Sequence, residues 1–109
     1  MVGTSDEDLI LCHVVTAAAW DAADPALPFP ASLADEFLHC CRLEQLDFVL
    51  GRHFTGAVNL RSVLFRAAEV TGEIRWEKSE PDQSPFPHLD GVIDRAAMTS
   101  VRTWPAVHE

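Results

Sequence analysis

Prolines divide this sequence more firmly than any other residue type. Six of the seven prolines fall into two short stretches, Pro25–Pro30 and Lys78–Pro87, with three prolines in each. Proline fixes φ and has no backbone N–H, so neither stretch can continue a helix or a central strand. Both stretches are therefore predicted as loops, the first with the Phe29 side chain docked inward.

Short apolar or alternating segments predict that most of the remaining chain is β-structure. These segments have the length, the period of two and the branched or aromatic residues that are typical of strands. The predicted strands are Leu9–Val15, Phe37–Cys40, Val58–Arg66, Glu73–Glu77 and Thr99–Trp104.

Two segments carry helical signals. Thr16 stands in the N-cap position before an alanine-rich run, which predicts a short helix there. Cys41 and Glu44 have the spacing of a capping box, with Cys in the capping position. An apolar face at helical spacing then predicts the main helix, which continues through His53 and stops at Gly56.

The sum of these elements predicts a single small α+β domain. A chain of 109 residues is long enough to bury one core and too short for two domains. The expected architecture is a curved β-sheet with one main helix and one shorter helix packed against it. Asp94–Met98 is predicted as a helical turn, and residues 1–8 as a loose N-terminal tail.

Charge and hydropathy exclude several classes of partner. The chain has 17 Asp and Glu against 8 Lys and Arg, a net charge of −9 at pH 7. This balance disfavours nucleic acid or an anionic membrane surface as a partner. No apolar run approaches the ~20 residues of a membrane span, and the N-terminus is acidic. We expect a cytoplasmic protein with a small-molecule partner, and the sequence leaves its oligomeric state open.

Histidine is the residue type that points most clearly to chemistry. The chain has five, and four lie in or beside patterned segments: His13, His39, His53 and His88. An imidazole with its ordinary pKa of about 6.5 exchanges protons near neutral pH, so several histidines in one cleft would suit acid/base catalysis. His88 is predicted to be held rigidly between Pro87 and a tight turn at Gly91. The alternative is that each histidine is an ordinary polar residue with a local hydrogen bond.

Alternation along Glu73–Glu77 places Arg75 and Glu77 on one strand face and Trp76 on the other. If the charged face lines a cleft, Glu77 can act as a general base or bind a hydroxyl, and Arg75 can bind a carboxylate or phosphate. A solvated strand face with a weak ion pair is the alternative.

Three cysteines, Cys12, Cys40 and Cys41, form neither an even framework nor a C-x-x-C pair, so a disulfide scaffold is not expected. His39 and Cys41 share one face of an extended segment, which permits a Cys/His nucleophile, with a capping or packing thiol as the alternative. The histidines and Cys41 lack the spacing of a metal site, so no metal is predicted.

Several segments taken together resemble a small bacterial family, domain of unknown function 952. They are Leu11–Val14 followed by Trp20, Phe37–Cys41 followed by Glu44 and Gln45, Arg52–Phe54, Arg75–Glu77 and Phe86–Leu89. The family is similar in fold to ADP-ribosyltransferase-type domains, which implies a split curved β-sheet with flanking helices around a cleft. Two positions depart from the family pattern beside that cleft: Cys41 stands where Ser is usual, and Asp90 where an aromatic residue is usual.

Three functions are open at this point. The first is a cofactor-independent enzyme that performs elimination, addition, cyclisation or isomerisation on a small metabolite, with His39, His88 and Glu77 as catalytic residues. Its predicted substrate-binding residues are His13, Trp20, Cys41, Arg52, Arg75, Trp76 and Phe86. The resemblance implies a second function, NAD binding and ADP-ribosyl transfer with Glu77 as the catalytic glutamate, although no glycine-rich or arginine cluster stands out to bind a pyrophosphate. The third function is a non-catalytic ligand-binding module.

Overall fold

Two antiparallel β-sheets form the framework of the protein, which the computed structural model describes over residues 9–30, 38–78 and 84–106. The helices are α1 (Ala17–Ala22) and α2 (Leu46–His53), with short 3-10 turns at Leu43–Gln45, Ala67–Glu69 and Arg95–Ala97. The strands are β1 (Ile10–Thr16), β2 (Leu38–His39), β3 (Cys41–Arg42), β4 (Val58–Arg66), β5 (Thr71–Glu77), β6 (Phe86–Val92) and β7 (Met98–Ala106). The predicted α+β class, with one main helix and shorter ones, is confirmed.

The first sheet has the strand order β3-β1-β4-β7. Strand β1 pairs with β4 along its whole length, from Ile10 opposite Arg66 to Thr16 opposite Leu60. On its other side β1 pairs with β3 only at Leu11 and Cys12. The edge of β1 beyond Cys12 therefore has no strand partner within residues 9–30, 38–78 and 84–106.

The second sheet has the order β2-β6-β5, and its register brings the two predicted catalytic histidines together. His39 on β2 lies directly opposite His88 on β6, and Arg75 on β5 lies opposite His88 on the other side. Residues opposite each other in a pleated sheet share a face, so these three side chains lie on one side of the sheet. The other side carries Leu38 and Leu89.

Two apolar clusters fix the sheets and helix α2 in place. The first cluster lies between the sheets and includes Leu11, Phe65, Leu89 and Ile93, all essentially inaccessible to solvent. The second lies between the first sheet and α2, with these buried residues: Cys12, Cys41, Leu46, Leu50 and Leu60. Helix α2 is thus held against the first sheet by the side that carries Leu46 and Leu50.

Several local predictions are confirmed. Strand β4 has the predicted bounds, and the Thr16 side chain caps α1 by accepting a hydrogen bond from the Ala19 N–H at 3.1 Å. Phe29 is buried and forms a two-way backbone bridge with Ile93, so the proline-rich loop does dock inward. Phe37, the proposed tail 1–8 and residues 79–83 of the second predicted loop lie outside the described residues.

The prediction of a loop and a tight turn around His88 is wrong. Phe86 and Pro87 begin strand β6, and Gly91 lies inside it, directly opposite Gly72. The Pro87 carbonyl accepts a hydrogen bond from the Cys40 N–H at 3.0 Å. Gly91 is required for close approach instead of a turn, because a Cβ there would lie 2.7 Å from the Gly72 Cα.

The capping box lies one residue later than predicted, between Arg42 and Gln45 instead of Cys41 and Glu44. Cys41 lies in β3 with its side chain buried, and the Gln45 side chain instead accepts a hydrogen bond from the Arg42 N–H at 2.8 Å. The Gln45 amide also donates to the Pro85 carbonyl at 3.1 Å. A thiol is a weak acceptor, so the amide of Gln45 takes the polar role and Cys41 joins the core.

No helix in the described part of the chain is both long enough and apolar enough to cross a bilayer.

Candidate functional site

A cavity of about 720 Å³ opens between β1, the β2–β3 segment, β6 and helix α2. Its wall is mostly aliphatic, aromatic or thiol-bearing, and its polar side chains are four histidines and one arginine. The residues that line it are Cys12, His13, Val14, Leu38, His39, Cys40, Cys41, Phe48, Val49, Arg52, His53, Phe54, Phe86 and His88. An apolar cavity of this size with a few convergent polar groups is the usual form of a small-molecule site.

All four histidines that the sequence singled out border this cavity. The rings of His39 and His88 meet edge to face, with their centroids 5.0 Å apart and their planes at 76°. His13 reaches the same place from the first sheet, because its Nδ1 lies 2.8 Å from the backbone carbonyl oxygen of His39. The two sheets thus contribute imidazoles to one site.

The hydrogen bond of His13 determines which of its ring nitrogens is available to a ligand. A carbonyl oxygen can only accept, so the His13 Nδ1 carries the proton and donates it to His39. In the neutral ring, Nε2 then holds the lone pair. Burial lowers the pKa of His13, the bond to the His39 carbonyl acts in the opposite direction, and the charge of His39 lowers it further. His13 is therefore a neutral proton acceptor at pH 7.

His88 has a similar environment with a carboxylate added. Burial, followed by the charge of the neighbouring His39, lowers the pKa of His88. The Glu77 carboxylate, with Oε1 at 3.3 Å from the His88 Nδ1, acts in the opposite direction. His88 is thus held neutral, with a negative group placed to stabilise its ring once it has accepted a proton.

These lowered pKa values predict the pH dependence of folding. His13 and His88 bind protons less readily in the folded protein than in the unfolded chain, where the pKa of histidine is about 6.5. Their neutral form is favourable for folding above that pH, and stability should fall as the pH drops from about 6.5 towards their lower folded pKa values. Urea unfolding across the histidine range, from about pH 5.5 to about pH 7.5, should give a flatter profile for a His13→Gln, His88→Gln variant. An NMR titration with both rings at or above the ordinary pKa would contradict this.

Two thiols of the cavity wall, Cys40 and Cys41, are held in their protonated form. Cys12 and Cys41 lie opposite each other on β1 and β3. A hydrogen bond with Cys12, together with burial, raises the pKa of Cys41, and burial raises the pKa of Cys40. A nucleophilic cysteine needs a lowered pKa, so this environment opposes the Cys/His nucleophile and favours a packing role for Cys41.

Eight of the ten predicted site residues either line the cavity or lie next to a residue that does. Those that line the cavity are His13, His39, Cys41, Arg52, Phe86 and His88. Glu77 reaches the site through its contact with His88, and Arg75 lies beside His88 in the strand register.

Neither of the two predicted site tryptophans is part of the cavity wall. Trp76 is exposed on the other face of the second sheet, where the Arg42 guanidinium lies 6.0 Å from its ring. Trp20 packs on the ring of Phe29, with the centroids 5.2 Å apart. Phe29 in turn lies against His13, at 6.1 Å between centroids, so Trp20 supports the site from one layer behind.

Helix α2 supplies two cavity residues that the sequence patterns did not predict, Phe48 and Val49. Phe48, Val49, Arg52 and His53 line the cavity, and they occupy the helix side next to the buried Leu46 and Leu50. Val49, Arg52 and His53 follow Phe48 at one, four and five residues, a spacing that places all four on one face of a helix. This pattern is visible in the sequence. Among the residues described, no group of three or more His, Cys, Asp or Glu side chains is arranged to hold a metal ion.

Comparisons with known proteins agree with the fold but give no activity. The sequence model of one family, described as "Protein of unknown function (DUF952)", matches residues 14–101. The chain is similar to the X-ray structure of protein CC0527 from Caulobacter crescentus and to that of its double mutant. For each, the TM-score is 0.70 at 25% sequence identity, over 86% of this chain and 84% of the other. No curated protein matches the chain, and the expected likeness to ADP-ribosyltransferases is not part of these matches.

Proposed function

Because the chain belongs to the DUF952 family of proteins of unknown function, we propose its function from the cavity itself: a cofactor-independent enzyme that moves protons on a small organic metabolite. The reaction class is elimination, addition, cyclisation or isomerisation. The observation that carries the proposal is the meeting of His39 and His88 in an otherwise apolar cavity, with Glu77 in contact with His88.

In this proposal His88 is the general base. Its lowered pKa keeps the ring neutral at pH 7, so that it can accept a proton from a carbon or hydroxyl of the substrate. The contact between the His88 Nδ1 and Glu77 leaves Nε2 to take the proton. Glu77 stabilises the resulting imidazolium without touching the substrate, and is therefore a positioning residue.

His39 is the general acid. Its side chain is exposed to solvent, and its ring lies 5.0 Å from that of His88. A substrate that lies in the cavity beside both rings can lose a proton to His88 while a neighbouring atom gains one from His39. Proton removal and delivery at adjacent atoms is the shared step of elimination, addition and isomerisation, and closure of a ring by addition follows the same pattern.

The proposal requires no cofactor. The cavity wall largely buries the His88 side chain, and charge–charge interactions are stronger in such an environment than in bulk solvent. His13, fixed by its bond to the His39 carbonyl, supplies a further neutral ring that can contact the substrate.

Solvent isotope exchange tests the proposal even while the substrate is unidentified. The full chain is incubated in D₂O with an extract of bacterial metabolites and with a panel of 2-oxo acids and 3-hydroxy acids. Mass spectrometry and NMR should detect at least one compound that gains deuterium or changes structure, and His39→Ala should abolish the change. If no compound exchanges a proton although ligands bind to the cavity, the protein is a non-catalytic binding module.

NAD, which the likeness to ADP-ribosyltransferases implies, would compete for the same cavity. Arg52 is the one Arg or Lys among the described residues of its wall, whereas the pyrophosphate of NAD carries two charges. We therefore expect no heat of binding in a calorimetric titration of the full chain with NAD at millimolar concentration. Binding, followed by nicotinamide release that Glu77→Gln prevents, would replace the acid/base proposal.

A further inference from the structure

We infer that the ligand of this cavity is a small monoanion, a carboxylate joined to a flat apolar group. The inference concerns the same cavity and therefore rests on the proposed function. In it, helix α2 selects the substrate. The chemistry would then belong to the sheet histidines, and ligand recognition to Arg52 and the aromatic wall.

The first observation is the fixed charge that borders the cavity. Arg52 lies in the last turn of α2, and its side chain is exposed at the cavity wall. Within residues 9–30, 38–78 and 84–106, no carboxylate forms an ion pair with Arg52, and no Asp or Glu lines the cavity. An anion that enters meets a guanidinium that no described carboxylate neutralises. A planar guanidinium binds a carboxylate by two parallel hydrogen bonds.

The second observation is the shape of the apolar wall next to that charge. Phe48, one helical turn before Arg52, stacks on Phe86 from β6, with centroids 6.2 Å apart and planes at 26°. This separation is too small for a third ring to enter between them, so the pair presents a continuous aromatic surface. Val49 and Phe54 extend the apolar wall along α2. A flat apolar group can lie against this surface while its carboxylate reaches Arg52.

The third observation limits the charge of the ligand. Arg52 is the one permanently charged cationic side chain among the described residues of the cavity wall, and it balances one negative charge, while the chain as a whole has a net charge of −9. The field of the protein therefore repels a dianion more strongly than a monoanion, and no second described Arg or Lys lines the cavity to compensate. A monocarboxylate fits this balance, and a phosphate monoester does not.

A binding experiment with three simple probes tests the inference. Chemical-shift titrations of the full chain use 3-phenylpropionate, the neutral 3-phenylpropan-1-ol and the dianionic phenyl phosphate. The carboxylate should bind at least about 10-fold more tightly than the alcohol, as expected for a hydrogen-bonded charge pair. Arg52→Gln should remove this preference and leave the affinity for the alcohol unchanged, and Arg52→Lys should retain part of it.

Arg66→Gln is the matched control, because it removes the same charge from an exposed residue of β4 whose partner is Glu69 at 3.9 Å. It should keep the full preference for the carboxylate. The inference is overturned if acid and alcohol bind equally well, if Arg52→Gln weakens both equally, if phenyl phosphate binds most tightly, or if no probe shifts a cavity resonance. Since these readouts concern binding only, a carboxylate preference without turnover of any compound would leave this inference standing and overturn the proposed enzyme.

Discussion

Replacement of His39 by alanine should slow the proposed reaction by at least about 100-fold, the usual contribution of a general acid. The fold should survive, because the contact that His39 makes with His13 uses its backbone carbonyl, which alanine retains. The His39 side chain is also exposed, so its removal leaves no cavity in the core. Turnover and urea unfolding of the same preparation measure the two effects separately.

Imidazole rescue and a positioning variant make this prediction more specific. Because the site is open to solvent at His39, added imidazole should restore part of the His39→Ala rate. Glu77→Gln should lower the rate less than His39→Ala does and move the acid limb of the pH–rate profile to lower pH, since Glu77 acts to raise the pKa of His88. Glu73→Gln, the same change on the same strand but opposite Asp90, should do neither. Near-normal turnover of His39→Ala with the fold intact would refute its catalytic role.

Gly91→Ala should lower the free energy of unfolding by about 3 kcal/mol, at the upper end of the range for overpacked sites. A Cβ at residue 91 would fall on the carbonyl oxygen of Thr71 and lie 2.7 Å from the Gly72 Cα. Both are backbone atoms and cannot rotate away, so β5 and β6 must separate. The contact between Glu77 and His88 spans the same two strands and should be disturbed as well.

Gly51→Ala is the matched control for that variant. Gly51 lies within α2, and a Cβ there would meet no atom within 4 Å. Alanine is favoured over glycine inside a helix, so this variant should gain up to about 1 kcal/mol. Urea unfolding followed by tryptophan fluorescence compares the two. If Gly91→Ala were as stable as the parent, the close approach of β5 and β6 would be contradicted.

The fold was predictable wherever one local signal acted alone. Strand β4 follows from its alternation, and the start of α1 follows from the hydroxyl of Thr16. Strand β6 was missed because Pro87 and Gly91 are strong turn signals in isolation. What makes glycine necessary there is Gly72 on the neighbouring strand, a partner that only the sheet register identifies. The cap of the main helix was predicted at Cys41 for a related reason. Gln45 also donates a hydrogen bond to the Pro85 carbonyl, and a contact so far along the chain gives no local sequence signal.

The candidate site was predictable in its residue types and not in its geometry. Histidine enrichment identified His39 and His88, but their contact depends on the pairing of β2 with β6, which no periodicity encodes. Arg52 of α2 was predicted, but Phe48 and Val49 were missed because the apolar periodicity of the helix marks the side that is buried in the core. Trp20 and Trp76 were placed in the site on their residue type. In the structure Trp20 packs on Phe29 behind the cavity wall, and Trp76 is exposed near Arg42 on the other face of the second sheet.

The incomplete pairing of β1 also affects how molecules of this protein meet one another. An open strand edge is a template on which another chain can add a strand. Consecutive side chains of a strand point to opposite faces of the sheet. Cys12, His13 and Val14 are consecutive and all line the cavity, so the unpaired edge of β1 must face into the cavity. The edge is thus enclosed by α2 and by the rings of the site. The hollow that can accept a small ligand thus also covers the unpaired length of β1, whereas β5 and β7 are the outer strands of the two sheets.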